Sequence, residues 1–418
     1  MPLEGKTLAM RPKKENQKTS KKEGINLLYF KDENKEINKR KLIGLIILCV
    51  LLIAIIVVYI VYTQNESFRK ILDEKLLKKN IEEEKLKTIK IEDYDTSNIF
   101  AFSKYIAILK SNELEIYNSM GKLETKLKLE ITNPISDNSG KYLVVAEQNA
   151  SKVYMVADNS VKWDKQLEGN ISRVNVNENG YVSVILTGTT YKSVVVLLDN
   201  KGNEIFKTYL SNTIAIDSSI SADDKYLGIA EVNPSGTLIQ SNVKIVSIDK
   251  AKDTPSEAIV YTYNAPSNSL ILNVEYQNKT KLVCMYNDEI HTIKDNIDSK
   301  FIDLNTQKEK ITFASINLEN SIVENIEEKS GLFNTNTKLK IVNTNTEKSS
   351  EYNFNGVTKE LYCSGDKIAL NLGSEIHFIA PNGWLIKKYI SNQEIRKIVL
   401  TDEIAGIVYR NKIEIVKF

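Results

Sequence analysis

The chain holds only two histidines, and they fall in matching contexts, Glu289-Ile290-His291 and Glu375-Ile376-His377. Imidazoles next to carboxylates are the residue types that hold divalent metals. These triplets, however, lie two copies apart in a repeated element. They point the same way from separate units, and polar positions on half-exposed strands account for them without a metal. The segment Asn175-Val176-Asn177-Glu178-Asn179-Gly180 fits the first half of a calcium loop. Such a loop needs a bidentate acid at its twelfth position, where this chain has Leu186. The segment therefore reads as a turn in which Asn tolerates left-handed backbone. No Ser or Cys is framed as Gly-x-Ser-x-Gly, no Gly-rich phosphate loop is present, and two histidines leave little room for a nucleophilic triad. Acids are spread through the body without a spacing that selects a pair. The expectation is a protein that is not an enzyme, with no catalytic, cofactor-binding or metal-ligating residues and no cofactor.

The elements that carry these residues repeat. From Ile99 onward, alternating apolar residues are broken by Asn, Asp, Ser and Gly, the signature of strands and turns. One element, apolar-x-apolar followed by a polar turn, begins at Leu114, Val153, Val194, Val243, Ile290, Leu339, Ile376 and Ile413, at spacings of 37 to 49 residues. A turn and a second strand precede most copies, as in Lys104-Tyr105-Ile106-Ala107-Ile108 and Gly140-Lys141-Tyr142-Leu143-Val144. A period of roughly 40–50 residues holding four short strands is that of a β-propeller blade. The spacing predicts an all-β propeller of about eight four-stranded blades over residues 87–418. Seven blades is the alternative if the polar stretch around Asn320–Asn345 is an insertion. The last copy ends the chain and its blade lacks an outer strand. Leu86-Lys87-Thr88-Ile89-Lys90-Ile91-Glu92 has the alternation to supply that strand and cover both open edges.

On these repeats the chain resembles the WD40-like and quinoprotein-like propeller superfamily. More narrowly, it resembles a bacterial family of single-pass membrane proteins with an extracytoplasmic propeller and unknown function. The turns at Asp199-Asn200-Lys201-Gly202 and Pro381-Asn382-Gly383-Trp384 are similar to the outer-strand turns of quinoprotein-type repeats. The Trp-Asp dipeptide occurs once, at Trp163-Asp164, outside the strand position of the WD40 signature. A quinone-dependent activity would need calcium ligands and stacking aromatics at the ring centre, and only Trp163 and Trp384 are on offer.

A single charge-free run, Leu42 to Tyr62, divides the chain. As a helix it spans about 31 Å, matching a bilayer core of roughly 30 Å. Residues 1–41 carry 12 Lys and Arg against 6 Asp and Glu, ending in Lys39-Arg40-Lys41. The positive-inside rule then makes residues 1–41 a cytoplasmic, basic and disordered tail, with an uncleaved transmembrane helix at 42–62 and an extracytoplasmic body. The tail's charge suits anionic headgroups, and its one apolar cluster, Ile25–Phe30, is a candidate docking motif. Residues 63–86 have apolar positions at 3–4 spacing and read as a helical stalk. The stripe is irregular and shorter than four heptads, so the chain is expected to be a monomer, or a weak dimer through the stalk. Cys284 and Cys363 are expected as buried free thiols, pairing being the alternative, and Cys49 falls in the span.

The body carries 44 Lys and Arg against 48 Asp and Glu, which excludes a strong nucleic-acid field. The functional expectation is a membrane-anchored, non-catalytic scaffold that binds envelope proteins, peptides or cell-wall polymer. A transmembrane sensor relaying to the basic tail is the first alternative. A quinoprotein-like or other enzyme on the propeller face is the second, and acids converging at the ring centre would be its mark.

Overall fold

The computed structural model describes residues 39–64, 87–92, 95–235, 238–265, 269–306, 309–330 and 334–418. The tail up to residue 38 and the stalk at 65–86 lie outside the described residues. Two compact units meet between Ile60 and Val61. The first holds most of a single helix, Lys39–Gln64, which is apolar on every side. Its stretch Gly44–Tyr62 is long and apolar enough to cross a membrane, with a mean hydropathy of 3.4, compatible with a single-pass anchor.

The second unit is an eight-bladed propeller of four-stranded antiparallel sheets. Blades 1–8 are numbered in chain order. Their innermost strands are Ile99–Phe102, Pro134–Ser139, Asn170–Val176, Ile214–Ile220, Ile271–Tyr276, Lys310–Leu318, Glu360–Ser364 and Lys397–Leu400. Each innermost strand touches that of the next blade, and the eighth touches the first. Seven blades run outward along the chain. The eighth takes its outer strand, Lys87–Lys90, from the other end of the domain, pairing Ile89 with Ile413 and Lys87 with Ile415. The closure expected from the sequence is thus present.

The packing explains the pattern of the sequence. Middle strands such as Ser193–Leu198, Ser-Val-Val-Val-Leu-Leu, are buried along their whole length because a neighbouring blade covers each face. Outer strands alternate, as in Leu123–Lys128. The core consists of eight apolar clusters, one between each pair of adjacent blades. Blade 6 is complete, so the polar stretch is no insertion. Ser321–Ser330 and Asn334–Asn343 are its middle strands, paired from Ser321 with Asn343 to Ser330 with Asn334. The innermost strand stops at the Lys310–Glu327 pair and the outer strand at Asn336–Asn355. The hairpin therefore outruns its own sheet, which is why its tip reads as polar.

An antiparallel meander sends its connections to two faces. Turns joining first to second and third to fourth strands lie on one, here the hairpin face. Turns joining second to third strands, and blade to blade, lie on the other, the connector face. Lys87 opens an outer strand, so the chain joins the ring on the hairpin face.

Candidate functional site

Both histidines are structural members of their blades. His291 and His377 occupy the third strands of blades 5 and 7, each opposite a lysine, Lys300 and Lys388. His291 Nδ1 bonds Asp298 at 2.9 Å, and Nε2 lies 3.4 Å from Glu289. Burial lowers the His291 pKa, but the Asp298 hydrogen bond and the charges of Asp298 and Glu289 outweigh it, so the net shift is upward. His377 Nδ1 meets the Tyr352 hydroxyl of blade 6 at 3.0 Å, and Nε2 lies 3.2 Å from Glu375. Blade 1 repeats the arrangement with Glu115 opposite Lys126, 2.7 Å apart. The triplets therefore mark a recurrent polar cell on the third strand. Among the described residues no group of three or more His, Cys, Asp or Glu could hold a metal ion.

The calcium-like segment spans the end of blade 3's innermost strand and the following turn. Asn177 Oδ1 accepts from the backbone of Asn179 and Tyr181, and its Nδ2 donates to Asp224 of blade 4 at 2.6 Å. Cys284 and Cys363 are both free, in blades 5 and 7. Burial pushes the Cys363 thiol up to about 12.

Acids do converge on the inner wall of the ring. Asp137, Arg173, Asp217 and Glu275 sit on the innermost strands of blades 2 to 5. Arg173 Nε lies 2.6 Å from Asp217 Oδ1, and Asp217 is only 2% exposed. Each aspartate accepts a backbone N–H from the following blade, Val176 onto Asp137 at 2.8 Å and Val274 onto Asp217 at 3.1 Å. Burial, with the nearby charges of Asp137 and Asp217, pushes Glu275 up to about 8. Burial likewise lifts Asp137 to about 6, against its backbone hydrogen bonds. These carboxyls staple blade to blade at the ring's narrowest radius. Sequence reasoning did not single them out, and the available signal was slight: Asp137-Asn138-Ser139 and Asp217-Ser218-Ser219 at equivalent places. Between blades 8, 1 and 2 a cavity of about 170 Å³ is lined by Phe100, Asp137, Asn138 and Lys397 among others. Lys397 Nζ donates to the carbonyls of Thr96 and Ile99 at 2.8 and 3.0 Å.

The connector face of blades 3 to 5 is of another kind. Tyr191 packs against Tyr209 in a tilted pair, with ring centroids 4.7 Å apart. Leu238, Ile239, Leu270 and Leu272 are exposed on the same face, Leu238 to 65%. Lys192 Nζ reaches Ser235 Oγ at 3.3 Å and Ile271 N donates to Ser241 Oγ at 3.0 Å, joining the three blades. Among the described residues of these loops, 187–192, 209–213, 233–235, 238–240, 264–265 and 269–272, the one charge is Lys192. A surface with a single charge and paired tyrosines has the make-up of an interface core.

The ring is similar to solved propellers at low identity. BamB from Moraxella catarrhalis matches at 12% identity and TM-score 0.46, covering 79% of this chain and 98% of that one. Sqt1 from Chaetomium thermophilum matches at 9% and 0.49, covering 80% and 98%. The WD40 domain of SCAP from fission yeast matches at 10% and 0.47, covering 80% and 95%. No curated protein matches the sequence. One family model covers residues 77–418, most of the chain, and this protein belongs to that family, the family of unknown function DUF5711.

Proposed function

We propose that this protein is a membrane-anchored, extracytoplasmic and non-catalytic scaffold that docks another envelope protein on the connector face of blades 3 to 5. The observation that carries the reading is the tyrosine, leucine and isoleucine surface, with Lys192 as its one charge, on the connector face of the ring. Buried tyrosines anchor interfaces at a cost of about 2 kcal/mol or more when truncated. The charge asymmetry around Leu42–Tyr62 supports an outward-facing ring. The chain joins the ring on the hairpin face, which leaves the connector face clear of the tether's attachment. The inner-wall carboxyls support a structural role, since the aspartates bind backbone amides of the next blade.

The test places a photo-crosslinking residue at Tyr209 or Leu238, with Met120 on the hairpin face as control, in intact membranes. One discrete protein adduct from the connector face, absent from Met120, is the expected result. Adducts of equal yield at all three positions, or none, would overturn the reading.

A further inference from the structure

Every blade ends in an outer strand, and no described strand pairs with its far side, which leaves a row of backbone donors and acceptors there. Such edges invite another strand, and proteins guard them with charges, lysine above all. The eight outer strands of this ring serve as controls for one another. Those of blades 1, 2, 3, 5, 7 and 8 each contain lysine, from Leu-Glu-Thr-Lys-Leu-Lys in blade 1 to Lys-Thr-Ile-Lys in blade 8. Blade 6 carries Glu351. Blade 4 alone, Ile259–Asn264, reads Ile-Val-Tyr-Thr-Tyr-Asn, with no charge and no proline.

The structure leaves that edge open. Ile259 and Tyr261 are 44% and 40% exposed, and no described strand pairs outside it. The helix that precedes it, Ile248–Asp253, packs on blade 3's outer strand and blade 4's own third strand. The bulge near Ile259 does not guard the edge in any special way, because the outer pairs of blades 1, 2, 3, 5 and 7 have it too. From Asn264 the chain runs on to the connector face, where Leu270 and Leu272 are exposed.

We infer that the outer edge of blade 4 receives an added β-strand from the scaffold's protein partner. The strand is an extended, uncharged segment with alternating apolar side chains, one set of which covers Tyr261 and Tyr263. This deepens the proposed function and rests on it. The backbone edge specifies an extended chain, because only a strand pairs a whole row of N–H and C=O groups. The lack of charge specifies an uncharged one. A second copy of the ring fits less well. Two rigid rings meeting along a six-residue edge, about 20 Å long, bury far less than the roughly 1,200 Å² a stable interface needs. A flexible segment covers the edge and continues onto Leu270 and Leu272.

The full chain in nanodiscs is used to select from a displayed library of twelve-residue peptides. Enriched peptides are then measured against wild type, Thr262→Lys, and the control Ser349→Lys on blade 6's outer strand. The expected peptides alternate apolar residues and lack charge. Thr262→Lys weakens them at least tenfold, Ser349→Lys leaves them unchanged, and peptide binding slows hydrogen exchange at 259–264. The inference is overturned if no peptide enriches, if enriched peptides bind Thr262→Lys as well as wild type, or if protection falls elsewhere. It is also overturned if wild type forms a dimer that Thr262→Lys abolishes, since the edge then serves a second copy. A crosslinked partner at Tyr209 that survives Thr262→Lys would sink this inference and leave the scaffold standing.

Discussion

Replacing Ile89 with alanine tests whether four residues from one end of the domain lock the ring. Ile89 is 2% exposed and packs with Ile99, Ile106, Ile413 and Ile415 between blades 8 and 1. Its neighbours Thr88 and Lys90 are exposed, so one side chain carries most of the burial on this short strand. Removing three carbons at about 0.8 kcal/mol each, with a further cost for the cavity, gives about 3 kcal/mol. The backbone fit is close: a Cβ on Gly121 in blade 1 would lie 3.2 Å from the Thr88 carbonyl. Urea unfolding of the purified protein measures the loss, and hydrogen exchange locates it. The Ile413 and Ile415 amides should open ahead of the other blades in Ile89→Ala, whereas Ile171→Ala, in the core between blades 2 and 3, should cost as much without that local opening. A loss below about 1 kcal/mol, with exchange at Ile413 and Ile415 unchanged, would refute the lock.

Further tests read the polar cells and turns. His291 titrates above its ordinary value, so its contribution is complete below the unfolded pKa near 6.5 and fades as pH rises through the folded one. His291→Asn should therefore lose most stability relative to wild type in acid, and a constant difference from about pH 5 to 8 would contradict this. Glu275, lifted to about 8, favours the protonated fold, and stability is lost as pH climbs from its unfolded value through 8. Glu275→Gln should remove that loss, gaining on wild type in alkali, as paired urea midpoints would report. Gly202 has φ +82°, and a Cβ there would sit 2.8 Å from the Trp163 ring. Gly202→Ala should cost about 1–3 kcal/mol and shift Trp163 fluorescence, and an unchanged spectrum would count against the contact. Cys284, buried, should resist maleimide until the protein unfolds and half-buried Cys363 should react sooner, whereas a disulfide-linked fragment after proteolysis would contradict two free thiols.

The ring was legible because its third strands are buried on both faces. That forces runs such as Val194–Leu198 and Ile376–Ile379 and makes their period countable. Closure was legible because Ile89 and Ile91 alternate beside a final blade short of one strand. Blade 6 blurred where its hairpin leaves the sheet, since from Lys329 and Thr335 onward its two middle strands pair only with each other. The inner-wall carboxyls were illegible for a different reason. Asp137, Asp217 and Glu275 lie about 60–80 residues apart among dozens of other acids, and only the curvature of the ring brings them together. The connector-face tyrosines were hidden too, because alternation along a strand does not say which apolar residues lack a neighbour.

The pairing of Lys87–Lys90 with the third strand of blade 8 also sets a clock. More than 320 residues separate Ile89 from Ile413, and a ribosome adding about 5–20 residues per second needs some tens of seconds to cross that distance. Throughout that interval the first strand made has no partner, while seven blades can form behind it in order. The ring is therefore an open arc for most of its synthesis. It becomes a closed body only when the third strand of blade 8 arrives to pair with Lys87–Lys90.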